Sequence, residues 1–417
     1  MTSDSPVKRL IYTTQYSPWS PYSGGGQRST HNLAMEMSRR GHEVHVIYSR
    51  TPFDHYTVPD DLPYQIHWAT LFHYRSSRQA PLRPMTSLDV HRIASSLIQN
   101  SSLPVVVHAN GEEAARVGMI RRRFPFLFVV TPRYPDYPAA IGRWNNLSAG
   151  ERILLWLREW KYLALGQALK QADLVCPPSS WAGEQVKSLY GLNRERIRPV
   201  SNGVPKEFLQ IERSAEASSG PIFFFGRLSY DKGVDLLLRA YRELPASRPA
   251  LHIAGAGEEE NRLRTIATEM NLQESVLFLP WQTHSQLAER LSKARMAVLP
   301  SRNENYSLAV LSAMASGTPT LSTRVGGTVE QIRDKKDGIL VNVEEVRQLT
   351  EAMSWIIRHP ERAEDMGRKA ARRMAETHTW QATCNRLENL YDHSLSDISA
   401  RSGSRRLFRR SHSRSAN

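Results

Sequence analysis

The chain has 417 residues and a net charge of +14, and its length predicts two or three domains because one ordinary core does not extend over so long a chain. Hydrophobic residues at 40% and charged residues at 23% are typical of water-soluble globular proteins, and no apolar run has the length of a transmembrane helix. The first residues contain no apolar segment of signal-peptide length, so we do not expect secretion. Cys176 and Cys384 lack metal-type spacing, which indicates a reducing cytoplasm and no disulfide framework.

The positive charge is concentrated at the C-terminus. Residues 401–417 contain six arginines and no acidic residue, so we expect residues 396–417 to form a disordered basic tail. The positive charge of the rest of the chain is compatible with phosphate-bearing ligands, an anionic membrane, nucleic acid or simply a solvated surface. Because no aromatic-basic RNA motif or helix-turn-helix pattern is present, nucleic acid is not an expected partner.

The first half of the chain alternates apolar runs with amphipathic segments. After the first run, a glycine-rich turn leads into a predicted helix with Leu33 and Met37 on one face and Gly41 as its C-terminal cap. The predicted strands are KRLIYTT, HEVHVIY, LPVVVHAN, FPFLFVVTP and ADLVCPP. Strand–helix alternation of this kind predicts a parallel sheet with helices on both faces.

A segment of linker composition, residues 212–220, precedes a second series of the same kind. Its predicted strands are PIFFFG, ALHIAGAG, SVLFLP, MAVLPS and TPTLST. We therefore expect two doubly wound α/β domains joined near residue 215. Ligands bind beyond the carboxyl ends of the strands in such sheets, and a cleft between two facing domains is the natural place for a site.

Three stretches carry candidate chemistry. Arg227 and Lys232 lie between a buried strand and a helix, where two cations suit a diphosphate, although ordinary surface residues would look the same. Gly24, Gly25 and Gly26 allow backbone amides to approach a ligand, or form a flexible turn. Glu304 precedes a helix and either accepts hydrogen bonds from a ligand or favours the helix start.

Together these stretches resemble the retaining glycosyltransferases of family 4, which have the GT-B architecture. The resemblance extends from Leu10 to about Tyr391. It rests on GRLSYDKGVDLLLRAY, HIAGAGEEENRLRTIATEMNLQESVLFLP, LPSRNENYSLAVLSAMASGTPTLSTRVGG, VSNGV and HTWQATCNRLENLY. It implies two facing Rossmann-like domains with an interdomain cleft: residues 1–210 on the acceptor side, rejoined by a helix at about 378–395, and residues 211–377, which bind the nucleotide sugar.

The resemblance also implies roles for individual residues. Arg227 and Lys232 match the pair that holds the donor diphosphate, so that no metal or other cofactor is needed. Gly25 and Gly26 match a loop that approaches the same phosphates. Glu304 matches the first acid of the family's E-x7-E motif, which contacts the donor sugar, and Asn305, Tyr306 and Ser307 would offer backbone amides beside it.

Two positions depart from the family pattern. Ser312 replaces the second acid, which in the family binds the ribose hydroxyls; one neutral hydrogen bond in place of two charge-assisted bonds predicts weaker donor binding by about one to two decades. Arg133 replaces a histidine that faces the reacting centre. An arginine cannot act as a base near neutral pH, but it can hold a phosphate or carboxylate, and Asp136 is the nearby acid.

The expected function is transfer of a sugar, with retention, from a nucleotide-diphosphate sugar to a glycan, lipid-linked or small-molecule acceptor, in surface polysaccharide or glycoconjugate synthesis. A degenerate relative that binds nucleotide or glycan without turnover is the main alternative, because of Ser312 and Arg133. A sugar-nucleotide epimerase would lack the basic pair at Arg227 and Lys232. The sequence leaves the nucleotide base, the sugar and the acceptor open.

Two basic-aromatic stretches suggest peripheral binding to an anionic membrane, at the inner face of the plasma membrane. The first places Arg116 and Arg121–Arg123 beside three phenylalanines, and the second places basic residues beside three tryptophans. In the alternative, these aromatic residues pack in the core and the basic residues are solvated. The residues concerned are Phe124, Phe126, Phe128, Trp144, Trp156, Trp160, Arg152, Arg158 and Lys161.

Overall fold

The protein is described by a computed structural model. Its backbone is described for residues 5–20, 23–51, 53–71, 83–133 and 148–413. Within these ranges, side chains are described for all residues except 83–84, 153–161 and 399–413. The chain divides into two compact units, which are residues 1–178, 182–200 and 383–417 in the first unit and residues 179–181 and 201–382 in the second unit.

The first unit contains a parallel sheet of six strands in the order β3-β2-β1-β4-β5-β6. The strands are β1 (Arg9–Thr14), β2 (Glu43–Arg50), β3 (Gln65–Thr70), β4 (Val105–Ala109), β5 (Leu127–Val130) and β6 (Leu174–Val175). The register pairs Tyr12 of β1 with Val46 on one side and His108 on the other. All five residues of β4 are buried, as expected of a strand covered on both faces.

Helices alternate with these strands along the chain. They are α1 (Gly25–Arg39), α2 (Arg83–Gln99), α3 (Ala149–Gln171) and α4 (Ser180–Tyr190), with short 3-10 turns at Glu112–Ala114, Val117–Arg122 and Arg194–Arg196. Leu33 and Met37 are buried and Gly41 has φ of +87°, so the predicted helix, its buried face and its cap are confirmed.

The second unit repeats this design in the order β12-β11-β10-β7-β8-β9, again entirely parallel. Its strands are β7 (Ile222–Phe225), β8 (Leu251–Ala254), β9 (Val276–Leu279), β10 (Met296–Leu299), β11 (Thr320–Thr323) and β12 (Ile339–Val341). Its helices are α5 (Lys206–Leu209), α6 (Val234–Arg242), α7 (Glu260–Glu269), α8 (His284–Lys293), α9 (Leu308–Ala315), α10 (Thr328–Gln331), α11 (Val346–Arg358) and α12 (Pro360–Thr377), with 3-10 turns at Ala217–Ser219 and Tyr230–Lys232. The α/β class with two doubly wound sheets is therefore confirmed.

The predicted linker at residues 212–220 is instead packed into the second unit. The guanidinium of Arg213 donates to the main-chain oxygens of Leu291 and Ala294 at 2.7 and 2.8 Å, at the end of α8, and pairs with Glu364. Ala217 is buried. The polar composition of this segment predicted a linker. It was misleading, because a polar side chain such as that of Arg213 can also bind main-chain oxygens within a folded unit. The chain passes between the units at residues 200 and 201, before the expected boundary at 210.

Helix α13 (Trp380–Ser413) begins in the second unit and continues in the first unit from Thr383. In the first unit, the buried Lys8 ammonium lies 2.7 Å from Asp392, and His42 lies 2.8 Å from Glu388. The tail expected to be disordered from residue 396 instead continues this helix to Ser413. A helix that is already nucleated extends more easily than a new one starts, because each added residue forms one further hydrogen bond without a new nucleus. No helix in the described part of the chain is long and apolar enough to cross a membrane.

Candidate functional site

The candidate donor residues of the second unit lie where the strand order of its sheet reverses. Strand β7 is bonded to β10 on one side and to β8 on the other, so the chain winds outward from β7 in both directions. Lys232 follows β7 and Glu304 follows β10, both beyond the carboxyl ends of their strands. In doubly wound sheets, this reversal point is where ligands bind.

Lys232 and Glu304 form a direct ion pair. Nζ of Lys232 lies 2.8 Å from Oε1 of Glu304, and the two side chains are only 21% and 12% exposed. The hydroxyls of Ser301 and Ser307 donate to the same oxygen at 2.9 and 3.3 Å. All three donors converge on Oε1, and Oε2 accepts no hydrogen bond from the part of the protein that the structure describes. Glu304 is thus held firmly by one oxygen while the second can accept from a ligand.

Asp231 and Glu304 together neutralise the basic pair. Oδ2 of Asp231 lies 3.4 Å from both Arg227 and Lys232, and Ser229 donates to its Oδ1 at 2.5 Å. Burial acts to raise the pKa of Asp231, but the bond from Ser229 and the two cations outweigh it and lower the pKa. Two positive and two negative side chains therefore balance at this point, and an arriving diphosphate has to compete with Asp231 and Glu304 for the cations.

Glycines allow the loops around this ion pair to approach each other closely. A Cβ on Gly326 would lie 1.6 Å from the main-chain oxygen of Glu304, and one on Gly327 would lie 2.2 Å from that of Asn305. Gly326 also has φ of +50°, in the region that favours glycine. The glycine pair that follows β11 is therefore required by the loop that carries Glu304.

The residues after Glu304 are fixed by a buried glutamine. The N–H of Ser307 donates to Oε1 of Gln331 at 3.1 Å, and Nε2 of Gln331 donates back to the Ser307 oxygen at 2.8 Å. The Ser307 amide, expected to face the donor, is thus used inside the protein. The Ser307 hydroxyl caps α9 by accepting from Val310. The Tyr306 hydroxyl is hydrogen-bonded to Nε2 of His378 at 2.8 Å. The main-chain oxygen of Asn305 accepts a hydrogen bond from the Ser179 hydroxyl.

Ser312 lies within α9, eight residues after Glu304, and is only 6% exposed. The helix is apolar nearly all round, with Val310, Leu311, Ala313 and Met314 fully buried. The short serine side chain fits this packed position.

The candidate residues of the first unit also gather at a reversal point, between β1 and β4. Gly25 and Gly26 begin α1, so their amides belong to the helix N-terminus, which attracts anions. A Cβ on Gly26 would lie 3.5 Å from Cγ of Arg133, and Nε of Arg133 donates to Oδ1 of Asn110 at 3.0 Å. The structure thus brings Arg133 beside the glycine turn. Asp136 lies outside the described residues.

Glu113 lies beneath this group and was not predicted. Its Oε1 accepts from the Thr13 hydroxyl at 2.8 Å and from the amides of Asn110 and Gly111 at 3.2 and 3.1 Å. Burial, reinforced by the charge of Glu112, raises the pKa of Glu113 to about 7 despite these bonds. Glu113 thereby fixes the turn that carries Asn110, which in turn holds Arg133.

The predicted residues Arg227, Lys232 and Glu304 lie together in the structure, whereas the residues around them were not predicted. Those residues are Asp231, Ser301 and Gln331 in the second unit, and Asn110 and Glu113 near Arg133 in the first unit. A signal existed for Asp231, since it is adjacent to Lys232 in the sequence. No local pattern distinguishes Gln331 or Glu113, because their partners are far away in sequence.

The basic-aromatic stretch at residues 116–128 is largely structural. Phe126 and Phe128 are buried. Arg121 pairs with Asp173 at 2.5 Å, and its guanidinium carbon lies 5.9 Å from the centre of each phenylalanine ring. Arg122 and Arg123 are exposed. Of the second stretch, Trp144 lies outside the described residues, as do the side chains of Trp156, Arg158, Trp160 and Lys161.

Two parallel six-stranded sheets, each with polar residues gathered at its reversal point, define a two-domain α/β protein of the GT-B class. Comparison with known families agrees. The family described as "Glycosyltransferase Family 4" matches residues 23–208, and the family described as "Glycosyl transferases group 1" matches residues 209–373. The chain belongs to this glycosyltransferase family, as the sequence resemblance predicted.

The chain is similar to the D-inositol 3-phosphate glycosyltransferases of Mycobacterium tuberculosis and Mycobacterium bovis, with 31% identity over 247 residues, 56% of this chain and 51% of theirs. It thus spans about half the length of the curated relatives it matches. Among solved structures, sucrose-phosphate synthase from Thermosynechococcus elongatus has a TM-score of 0.77 at 20% identity, covering 94% of this chain and all of that one. Anabaena HepE, solved with UDP, has a TM-score of 0.70 at 17% identity, covering 93% and 100%. At these identities, the two similarities show a shared fold.

Proposed function

We propose that the protein transfers a sugar from a nucleotide-diphosphate sugar to an acceptor with retention of anomeric configuration, without a metal ion. The observation that supports this most directly is the Lys232–Glu304 pair at the reversal point of the second sheet, with Arg227 beside it. In this proposal, the two cations bind the diphosphate, and Oε2 of Glu304 accepts a hydrogen bond from a sugar hydroxyl.

Each residue has a defined task in this proposal. Lys232 and Arg227 exchange their carboxylate partners for the diphosphate and stabilise the charge that develops on the departing nucleotide, as oriented cations do in a partly buried site. Glu304 accepts a hydrogen bond from a donor-sugar hydroxyl through Oε2. Gly25 and Gly26 offer the amides of α1 to an anionic group, and Arg133 holds a phosphate or carboxylate.

The donor class can be tested by thermal stabilisation of the purified full-length protein with UDP-, GDP- and ADP-sugars. A ligand that binds the folded state raises its stability by RT ln(1 + [L]/Kd). UDP-glucose is tried first, because the related HepE fold was solved with it. We expect one nucleotide series to raise the melting temperature by several degrees. If no series does so at millimolar concentration, the proposed donor site is wrong.

A degenerate binder without turnover is the second candidate, because Ser312 and Arg133 depart from the family pattern. A turnover assay distinguishes it from an active enzyme. The stabilising donor is incubated with a panel of glycan, lipid-linked and small-molecule acceptors, with and without EDTA. NMR then reads the anomeric configuration of the product. Binding without release of nucleoside diphosphate across the panel would favour the degenerate binder, and inverted product would overturn the retaining mechanism.

We also propose a cytoplasmic protein whose acceptor is a surface polysaccharide or glycoconjugate intermediate, with peripheral attraction to anionic membranes through charge alone. Arg122 and Arg123 are exposed, whereas the neighbouring Phe126 and Phe128 are buried and cannot insert into a bilayer. Binding to phosphatidylserine vesicles should therefore disappear at high salt. Substituting glutamate at Arg122 and Arg123 tests this without breaking the Arg121–Asp173 pair.

A further inference from the structure

Arg302 lies two residues before Glu304, and its guanidinium is only 11% exposed. It binds Asp235 with both terminal nitrogens, which lie 2.7 and 2.9 Å from the two carboxylate oxygens. Asp235 lies in the first turn of α6, three residues after Lys232. Two parallel hydrogen bonds between an arginine and a carboxylate fix orientation as well as distance. The pair therefore ties the segment after Lys232 to the segment before Glu304.

Arg302 also holds the turn that contains Lys232. Its guanidinium donates to the main-chain oxygen of Tyr230 at 2.8 Å and lies 4.1 Å from the centre of the Tyr230 ring. Its own main-chain N–H donates to the oxygen of Asp231 at 2.7 Å. The turn Tyr230–Lys232 is thus attached to Arg302 at two consecutive carbonyls, directly before the lysine.

The guanidinium of Arg302 is neutralised inside the protein. Asp235 and Glu344 both pair with it, so its positive charge already has carboxylate partners on two sides. An arginine engaged in this way is poorly suited to bind a phosphate itself. Its influence on the site runs through the position of the groups it holds.

We propose that Arg302 and Asp235 are positioning residues that set the Lys232 ammonium against Glu304 and thereby prepare the site for a diphosphate. This inference rests on the proposed function, since it concerns the same site. Neither residue touches the ligand. Loss of the two-pronged Arg302–Asp235 bond lets the Tyr230–Lys232 turn move, and the affinity for the diphosphate group falls while the sheet beneath it is kept.

The test is a double-mutant cycle read by nucleotide binding. Calorimetry measures Kd of the nucleoside diphosphate that stabilises the wild-type protein for Arg302→Met, Lys232→Ala and the double variant. We expect Arg302→Met to weaken binding about tenfold and the double variant to bind no more weakly than Lys232→Ala alone, because Arg302 acts through Lys232. Independent, multiplied losses would show a merely structural role and overturn the proposal.

Conservative variants and a matched control complete the design. Arg302→Lys keeps the charge but not the two-pronged bond, so it should bind with a Kd between those of Arg302→Met and wild type. If Arg302→Met does not fold, Asp235→Asn replaces it in the binding measurement, because this variant leaves the arginine in place. The control is Arg347→Met, which removes an exposed pair with Glu351 at 2.8 Å on the surface of α11 in the same unit and should leave Kd unchanged.

The outcomes are distinguishable. If the wild-type protein binds a nucleoside diphosphate and the Arg302 and Asp235 variants bind it equally well, the positioning role is wrong and the donor site stands. If the wild-type protein binds UDP, GDP and ADP no better than the parent nucleosides, the proposed function fails and the positioning role falls with it.

Discussion

Lys232 is the side chain on which the candidate donor site depends most, because it contacts both Glu304 and Asp231. We expect Arg227→Ala combined with Lys232→Ala to abolish binding of the nucleotide sugar. The cost in folding free energy should be about 0.5 kcal/mol at the exposed Arg227 and about 1 kcal/mol at the half-buried Lys232. Calorimetry measures the binding of the nucleotide sugar, and chemical denaturation measures the free energy of unfolding.

The matched control removes two cations of exposed ion pairs in the same unit. Arg264 pairs with Glu260 and Lys293 with Glu289, both on helix surfaces. Replacing both cations with alanine changes the net charge equally and should leave binding intact. Equal loss of binding in the control would mean that overall charge, and not the site, attracts the ligand.

The replacement of an acid by Ser312 can be reversed. We expect Ser312→Glu to tighten donor binding by about one to two decades, because a carboxylate at the outer end of a longer side chain can form charge-assisted bonds to the ribose. Ser312→Gln, of the same length but uncharged, should gain much less. Weaker binding by the glutamate variant would show that another group already occupies the ribose position. Melting temperatures report whether α9 tolerates either change.

Glu113 should make the stability of the first unit depend on pH. Its pKa is raised to about 7, so between roughly pH 4.5 and 7 the folded state holds a proton that the unfolded state releases. Its contribution to stability is complete below that window and is lost as pH rises through 7. The glutamine variant Glu113→Gln keeps an acceptor for Thr13 but cannot ionise, so its stability relative to wild type should increase with pH.

Melting temperatures of wild type and Glu113→Gln between pH 5 and 8 test this directly. The difference between the two proteins cancels the titration of other groups. A constant difference over the whole range would show that Glu113 has an ordinary pKa, and a difference that changes in the opposite direction would show that its carboxylate is stabilised when charged.

Among the loops, the Gly326–Gly327 turn should tolerate substitution least. Gly326→Ala adds both an unfavourable φ and a contact with the Glu304 carbonyl. We expect a loss of about 2–4 kcal/mol together with loss of donor binding, since the loop of Glu304 has to move. Gly41→Ala separates the two causes, because Gly41 has φ of +87° but no atom within 4 Å of the position that a Cβ would take; it should cost about 1 kcal/mol and leave binding unchanged.

The central strands were predictable because they are buried on both faces and read as continuous apolar runs; β7 is Ile-Phe-Phe-Phe. The two missed strands, β3 and β12, are edge strands. β3 mixes Gln65, His67 and Trp68, and only Ala69 of its six residues is buried. The polar sequence of β3 suits a strand that is bonded on one side only. β12 is apolar, Ile-Leu-Val, but its three residues are too few to form a recognisable pattern.

The candidate site could be predicted only where its residues lie close together in the sequence. Arg227 and Lys232 share one loop, and Glu304 precedes a recognisable helix. The contacts that hold them are long-range: Lys232 to Glu304, Ser307 to Gln331, Arg302 to Asp235. Such pairs follow from the strand order, which places β10 between β7 and β11. A single sequence does not specify that neighbourhood until the topology is known.

At the scale of the whole molecule, stability should divide between the two units. Glu388→Ala removes the partner of His42 and a partner of Arg40, all nearly buried, and should destabilise the first unit by about 3 kcal/mol. Hydrogen exchange should speed up in β1 and β4 but not in β7 and β10. Asp365→Ala, on the surface of α12, should change neither set. Equal acceleration in both units would mean that they unfold as one.

The course of α13 also has a consequence for biosynthesis. The first unit needs residues from 383 onward, but a ribosome makes these only after the whole second unit. At about 5–20 residues per second, the nascent first unit waits roughly 10 to 40 s for the helix that covers Lys8, His42 and His108. During that interval the six-stranded sheet of the first unit lacks this helix, and a chaperone can bind the surface that the helix later covers. A segment translated after the second unit thus completes the unit whose strands were translated before it.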